Sequence, residues 1–347
     1  MMNEVLNEIF ILNETGINLF SWSSGESNSD LLSGFLTALN MFAKSEKGQT
    51  MKELTLEQTT FVFEKKEDLI YVVITENEKA LPLLKIFLSE MINLFERDFG
   101  DEIKKFTGNI AVFDDFTKGL LHLQDTFGIN LLNDKIKEVK TSDLLQSINV
   151  ISKLTGELLF TEATQFVNKE DLGFLVPLVV KACERVVVDI DNQTLEWILL
   201  ISNKDRIVLL QPQEFIIFVE EYKVPFEFPK EFITKHKKLK NKFSDMNFIP
   251  QIKYIKMINN AGKVLEEFER GAGYSTKSTV DSTMVVNAAN NFMQKYYKLV
   301  LKGIAIGDRK KGIMFVTFKD FFVLLRGAYE DFQQFQSIVG YIKQISE

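Results

Sequence analysis

The sequence predicts an α+β chain of three tandem units, each a five-stranded antiparallel sheet built in the order β-β-α-β-β-β-α with helices on both faces. Three recurrences predict it. A Gly-closed hairpin appears as Ile9–Phe20 (IFILNETGINLF), Ile148–Phe160 (INVISKLTGELLF) and Ile255–Phe268 (IKMINNAGKVLEEF), turning at Gly16, Gly156 and Gly262. Glycine suits these turns because it accepts backbone angles that other residues resist. A helix-start signal follows each hairpin, at Ser27–x–x–Asp30, Asn168–x–x–Asp171 and Ser278–x–x–Asp281. There a side-chain oxygen caps free N–H groups and an acid complements the helix dipole. A second hairpin then turns on an acid ahead of an apolar strand: Asp68 before LIYVVIT, Glu214 before FIIFV and Asp320 before FFVLLRG. These acids lie 52, 58 and 58 residues after the glycines. Recurrence of the same order at near-equal spacing marks a repeat. The expected limits are 1–130 (with an extra C-terminal helix), 131–246 and 247–347.

Taken in order, unit 1 opens with its hairpin and a helix over Asp30–Phe42, with Leu31, Leu32, Phe35, Leu36, Leu39 and Phe42 at helical spacing as its core stripe. Lys52–Gln58 alternates polar and apolar residues, as an edge or half-exposed strand does, whereas Thr60–Glu64 and Leu69–Thr75 are more apolar. Leu81–Phe99 reads as a long helix with Pro82 tolerated in its first turn. Its stripe is Leu84, Phe87, Leu88, Met91, Leu94 and Phe95, and further helix follows over Asp101–Phe127, broken near Gly108. Leu131–Asp143 is a lysine-bearing connector or helix. In unit 2 a helix is expected over Glu170–Val187, kinked or delayed by Pro177. The strands Leu195–Ser202, Arg206–Leu210 and Phe215–Glu220 are nearly continuous in apolar residues, the pattern of strands buried on both faces. A closing helix is expected over Lys230–Phe243. Unit 3 predicts a helix over Asp281–Leu301, strands at Lys302–Gly307, Gly312–Phe318 and Phe321–Arg326, and a last helix over Tyr329–Ile345. A three-layer sandwich is the natural packing of such units.

Bulk properties narrow the function. Across 347 residues, 46% are hydrophobic, enough apolar material for real cores. The formal net charge of −7 argues against nucleic acid as the main partner, since phosphate binding needs a basic footprint. One cysteine, Cys183, excludes an internal disulfide framework and fits a reducing compartment. Met1–Asn7 is polar and no apolar run approaches the ~20 residues needed to span a bilayer. The expectation is a soluble cytoplasmic chain, in which the sequons at Asn13 and Asn192 carry no glycan.

The β-β-α-β-β-β-α order, with first hairpins closed by ILNETG, KLTG and NNAG, resembles the longin and roadblock domains, which share a profilin-like fold. Unit 1, with its extra helix, is more similar to a longin domain; units 2 and 3 fit either type. Three such units resemble the tri-longin-domain proteins, whose heterodimers act as exchange factors for Rab-type GTPases in membrane trafficking. The resemblance implies a non-enzymatic scaffold that regulates a small GTPase, as an exchange-factor subunit, by occupying its switch surface. The alternative it leaves open is a vesicle adaptor or tether that binds other longin or roadblock proteins without affecting nucleotide exchange. It also implies that one face of the first helix joins a partner domain, which singles out Leu32 and Met41 as partner-binding candidates.

The residues offer little chemistry besides. His122 and His236 are far apart and Cys183 sits in an apolar stripe, so no catalytic, metal or cofactor site is expected. Gly271–Thr276 (GAGYST) lacks the Gly-Lys-Ser/Thr pattern that cradles phosphates, and Gly307–Gly312 (GDRKKG) reads as a hairpin turn. Lys230–Lys242 carries six lysines against one glutamate. Lys235, Lys237, Lys238, Lys240 and Lys242 are candidates for peripheral contact with an anionic membrane, against the simpler reading of a solvated helix face.

Overall fold

The computed structural model describes residues 5–25, 32–39, 51–141, 143–164, 167–191, 194–204, 206–223, 254–269, 278–307, 311–317 and 321–328. The chain divides into two compact units: Met1–Thr141 with Leu159–Thr161, and Ser142–Leu158 with Glu162–Glu347.

Unit 1 contains β1 (Glu8–Asn13), β2 (Asn18–Ser23), α1 (32–39), β3 (Glu53–Leu56), β4 (Thr59–Lys66), β5 (Leu69–Thr75), α2 (Leu81–Lys104), α3 (Phe116–Thr126) and α4 (Ile129–Thr141). Its antiparallel sheet runs β2-β1-β5-β4-β3. Period-two alternation gives the sheet two apolar faces. Phe10, Leu12, Phe61, Phe63, Ile70, Val72 and Ile74 form one cluster with Leu36 of α1. On the opposite face Tyr71 meets Phe95 of α2 edge-on, with ring centroids 6.1 Å apart. Leu84, Phe87, Leu88, Met91 and Phe95 are buried as the helical spacing predicts, while Leu94 lies near Gly119 of α3. The helix expected from Asp101 is instead the end of α2. The chain then bends at Gly108 (φ +104°), makes a 3-10 turn at Ile110–Phe113 and enters α3.

The first helix corrects one expectation. Phe35 is 43% exposed, whereas Ser33, Leu36 and Thr37 turn inward. The small residues face in because α1 crosses the hairpin turn closely: a Cβ added at Gly16 would come within 3.0 Å of the Thr37 side chain.

Unit 2 contains β6 (Leu145–Ser152), the ends of β7 (Leu158–Ala163, whose Leu159–Thr161 group with unit 1), α5 (Lys169–Asp191), β8 (Trp197–Ser202), β9 (Arg206–Pro212), β10 (Ile216–Lys223), β11 (Tyr254–Asn259), β12 (Val264–Glu269), α6 (Ser278–Lys295), β13 (Leu301–Gly307), β14 (Lys311–Thr317) and β15 (Phe321–Ala328). All ten strands form one antiparallel sheet, β12-β11-β15-β14-β13-β8-β9-β10-β6-β7. Read from each end toward its middle, each half repeats the strand order of unit 1. The segments expected as two separate units, 131–246 and 247–347, therefore share a sheet, and the 131–141 segment is α4 of unit 1. Helices α5 and α6 lie together on one face, over a core that runs unbroken through both halves from Ile151 and Val219 to Phe315 and Leu324. The closing helices expected over 230–243 and 329–345 lie outside the described residues.

The same turn chemistry closes all three hairpins. Gly16, Gly156 and Gly262 have φ of +90°, +73° and +82°. Their N–H groups donate to the carbonyls of Asn13, Ser152 and Asn259. The Asn13 side-chain oxygen accepts from the N–H of Thr15 and Ile17, and that of Asn259 from Ala261 and Lys263. A short polar side chain at this place satisfies the turn's loose donors. Each glycine also abuts its helix, at Thr37, Gly173 and Thr283 respectively.

Pro177 lies within α5, which continues through it. Proline withdraws the N–H that the Gly173 carbonyl would accept. That carbonyl instead lies against Gly156, where an added Cβ would come within 2.4 Å of the oxygen. The expected cap is present: Asn168 Oδ1 accepts from Asp171 N–H at 3.3 Å, and Asn168 Nδ2 donates to the Asp171 carboxylate at 2.8 Å. Helix α6 stops at Lys295, earlier than its apolar spacing suggests, and Val300 is 48% exposed. Lys298 takes φ +57° and Leu299 N–H donates back to the Met293 carbonyl, a closing bond that ends the helix.

Candidate functional site

The feature that singles itself out is the third strand of each copy. In unit 2 the two third strands, β8 and β13, pair with each other. Leu199 stands opposite Ala305, flanked by Ile198 opposite Ile306 and Leu200 opposite Ile304. The four flanking side chains are fully buried beneath α5 and α6. The pairing is quasi-symmetric: the same surface of two similar copies meets itself.

In unit 1 the third strand is β3. It pairs with β4 on one side, and no strand among the described residues pairs with the other. The Lys52 carbonyl accepts from Phe63 N–H at 2.9 Å, so the backbone of Lys52, and of Leu54 by alternation, faces β4. The N–H and C=O of Glu53 and Thr55 then point outward. Such an edge is a template for another strand. Charged side chains flank it. Glu53 meets Lys85 of α2 at 2.9 Å, and Lys52 meets both carboxylate oxygens of Glu64 at 3.0 Å. Leu56 is 45% exposed at the strand's end. A cleft of about 530 Å³ runs behind it between β4 and α2, lined by Glu53, Val62, Lys85, Leu88 and Ile92 among others.

Leu32 is half-buried against the α1-side core of unit 1. Met41 and Lys235, Lys237, Lys238, Lys240 and Lys242 lie outside the described residues, as do His236 and Gly271–Thr276. Of the predicted contact residues, Leu32 alone is among the described ones. Lys52, Glu53 and Lys85 were not singled out by sequence reasoning. Their signal was present in the third strands: ELTL in unit 1 is charged at a place where WILLIS and LKGIAIG are apolar.

Elsewhere, Gly307 pairs with Gly312, the two ends of GDRKKG, and 308–310 lie outside the described residues. His122 is exposed, and Cys183 is fully buried, its thiol pushed up chiefly by that burial. Among the described residues no three His, Cys, Asp or Glu side chains are placed to share a metal ion. A polar cleft of about 330 Å³ beside the C-terminus of α6 holds an Arg206–Glu221 ion pair, to which Ser147 Oγ adds a 3.3 Å hydrogen bond. Burial there, reinforced by Glu221, pushes the Tyr296 phenol up to about 12. No helix among the described residues is long and apolar enough to cross a membrane.

Residues 7–118 match the family model described as the first longin domain of FUZ, MON1 and HPS1. No curated protein matches the chain.

Proposed function

From the match of residues 7–118 to the first longin domain of FUZ, MON1 and HPS1, we propose that this chain is a non-enzymatic scaffold that regulates a small GTPase in membrane trafficking. In this reading all three copies, the first closing with α4 at Thr141 and the other two meeting near 246/247, are longin- or roadblock-like. The first recruits a longin or roadblock domain of another protein through β3, and the pair presents its surface to the switch regions of the GTPase. Leu32 and Met41 contribute to partner binding, and the lysines of 235–242 hold the assembly near anionic lipid. One observation carries the pairing step: unit 2 joins two copies through their third strands, and in unit 1 no strand among the described residues pairs with the outer side of the same strand.

Exchange requires that the complex bind nucleotide-free GTPase more tightly than the loaded form, because a ligand shifts an equilibrium only by its differential affinity. The test is release of a fluorescent guanine nucleotide from purified small GTPases of the same genome, with and without the chain and its longin partner. Faster release that is lost on Thr55→Pro supports the reading. Binding to neither GDP-loaded nor nucleotide-free GTPases sinks the regulator role. Partner pairing with unchanged release leaves a tether in its place.

A further inference from the structure

The register of the β8–β13 junction identifies which residue of unit 1 would sit on the axis of an equivalent pair. Leu12, Ile151 and Ile258 each immediately precede the turn anchor of their hairpin, and they pair with Ile70, Ile217 and Phe322. Counting along the ladders makes Phe61, Val208 and Ile313 equivalent, and their third-strand partners are Leu54, Leu200 and Ile306. Glu53 is thus the counterpart of Leu199 and Ala305, the two residues that face each other across the junction. Lys52 is the counterpart of Ile198 and Ile304, both fully buried there.

A second copy of this chain docked on β3 in that register would set Glu53 against its own equivalent, with side chains about 5 Å apart. Each Lys85 is already engaged with its own Glu53. The same docking would bury each Lys52 against a Leu54 and strip water from its contact with Glu64, both of whose partners are now well exposed. Like charges and desolvated lysines at four central positions oppose self-pairing. Resting on the reading of β3 as a pairing edge, we infer that Glu53 and Lys52 reject a second copy of this chain and select a longin-type domain of a different protein. The third strand of that domain carries a basic residue facing Glu53 and an acidic one facing Lys52.

Sedimentation of the full-length chain over a wide concentration range tests this. The wild-type chain stays unpaired. The double variant Lys52→Ile/Glu53→Ala, which installs residues found at the unit 2 junction, gains self-association that Thr55→Pro removes. An equimolar mixture of wild type and Glu53→Lys forms mixed pairs about tenfold or more tighter than either chain forms alone. If the wild-type chain self-associates as tightly as the double variant and Thr55→Pro abolishes that, the edge pairs but the charges do not select, and this inference falls alone. If the double variant and the mixture both remain unpaired, the edge does not pair in this way and the reading beneath falls with it.

Discussion

β8 of unit 2 and β3 of unit 1 hold the same place in their copies and meet opposite surroundings. Both pair with the following strand and both lie at the rim of a five-strand set. β8 continues into β13, and its Ile198 and Leu200 are sealed under two helices. β3 ends its sheet with Lys52 and Glu53 at the matching positions, each held in a surface ion pair. The fold alone thus does not determine whether this rim is closed. Two side chains do, since apolar residues reward burial of the edge whereas charged ones keep it wet and choosy.

The strongest way to break the comparison is with proline, which cannot donate to a ladder. Leu199→Pro deletes a bond in the interior of the ten-stranded sheet and is expected to cost about 3 kcal/mol or more. Thr55→Pro deletes an outward-facing N–H and is expected to change stability by no more than about 0.5 kcal/mol. Urea unfolding followed by circular dichroism separates the two. Equal losses would mean that β3 is buried by something after all.

Next come the hairpin glycines. Gly156→Ala places a Cβ 2.4 Å from the Gly173 carbonyl at φ +73°, and neither backbone can yield easily. A loss of about 3 kcal/mol is expected. Gly16→Ala meets only the Thr37 side chain, at 3.0 Å, and about half that loss is expected. The same denaturation curves rank the pair, and a reversed order would refute the close crossing in unit 2.

Cys183→Ala removes one buried sulfur from the continuous core and is expected to cost about 1 kcal/mol. In the wild-type chain the thiol is fully buried and its pKa raised, so alkylating reagents at neutral pH should modify it only as unit 2 opens. Mass spectrometry along a denaturant series reads that directly. The smallest effect is expected of Lys85→Ala. Its ion pair with Glu53 joins side chains 55% and 37% exposed, and such pairs contribute under about 1 kcal/mol. A larger loss would mean that Lys85 also supports the cleft between β4 and α2.

The three copies were legible in the sequence because their turns are local devices. Asn13, Asn259 and the glycines after them write the hairpin into a few adjacent residues. The rim of unit 1 was legible as well, in the polar alternation of Lys52–Gln58; the strands around Leu200 were expected to be buried on both faces, whereas β9 alternates buried Val208 and Leu210 with half-buried Ile207 and Leu209. The joining of β8 to β13 was not. Ladder pairing between segments about a hundred residues apart leaves no mark on the period of either strand. The delay expected at Pro177 does not occur: α5 starts at Lys169 and runs through it, and the carbonyl it frees, that of Gly173, lies against the turn at Gly156. Phe35 was assigned inward by periodicity, but the close approach at Gly16 turns smaller residues toward the sheet.

Because β8 and β13 belong to one polypeptide, their encounter is intramolecular, and dilution cannot separate them. The linker keeps each at a high effective concentration around the other. That permanence frees the two halves to drift apart in sequence, as Leu199 against Ala305 already illustrates. Among the described residues no strand of this chain pairs with the rim of unit 1, so in the proposed reading whatever docks there comes and goes with the abundance of its mate. One chain thereby carries a fixed couple and a vacancy governed by supply.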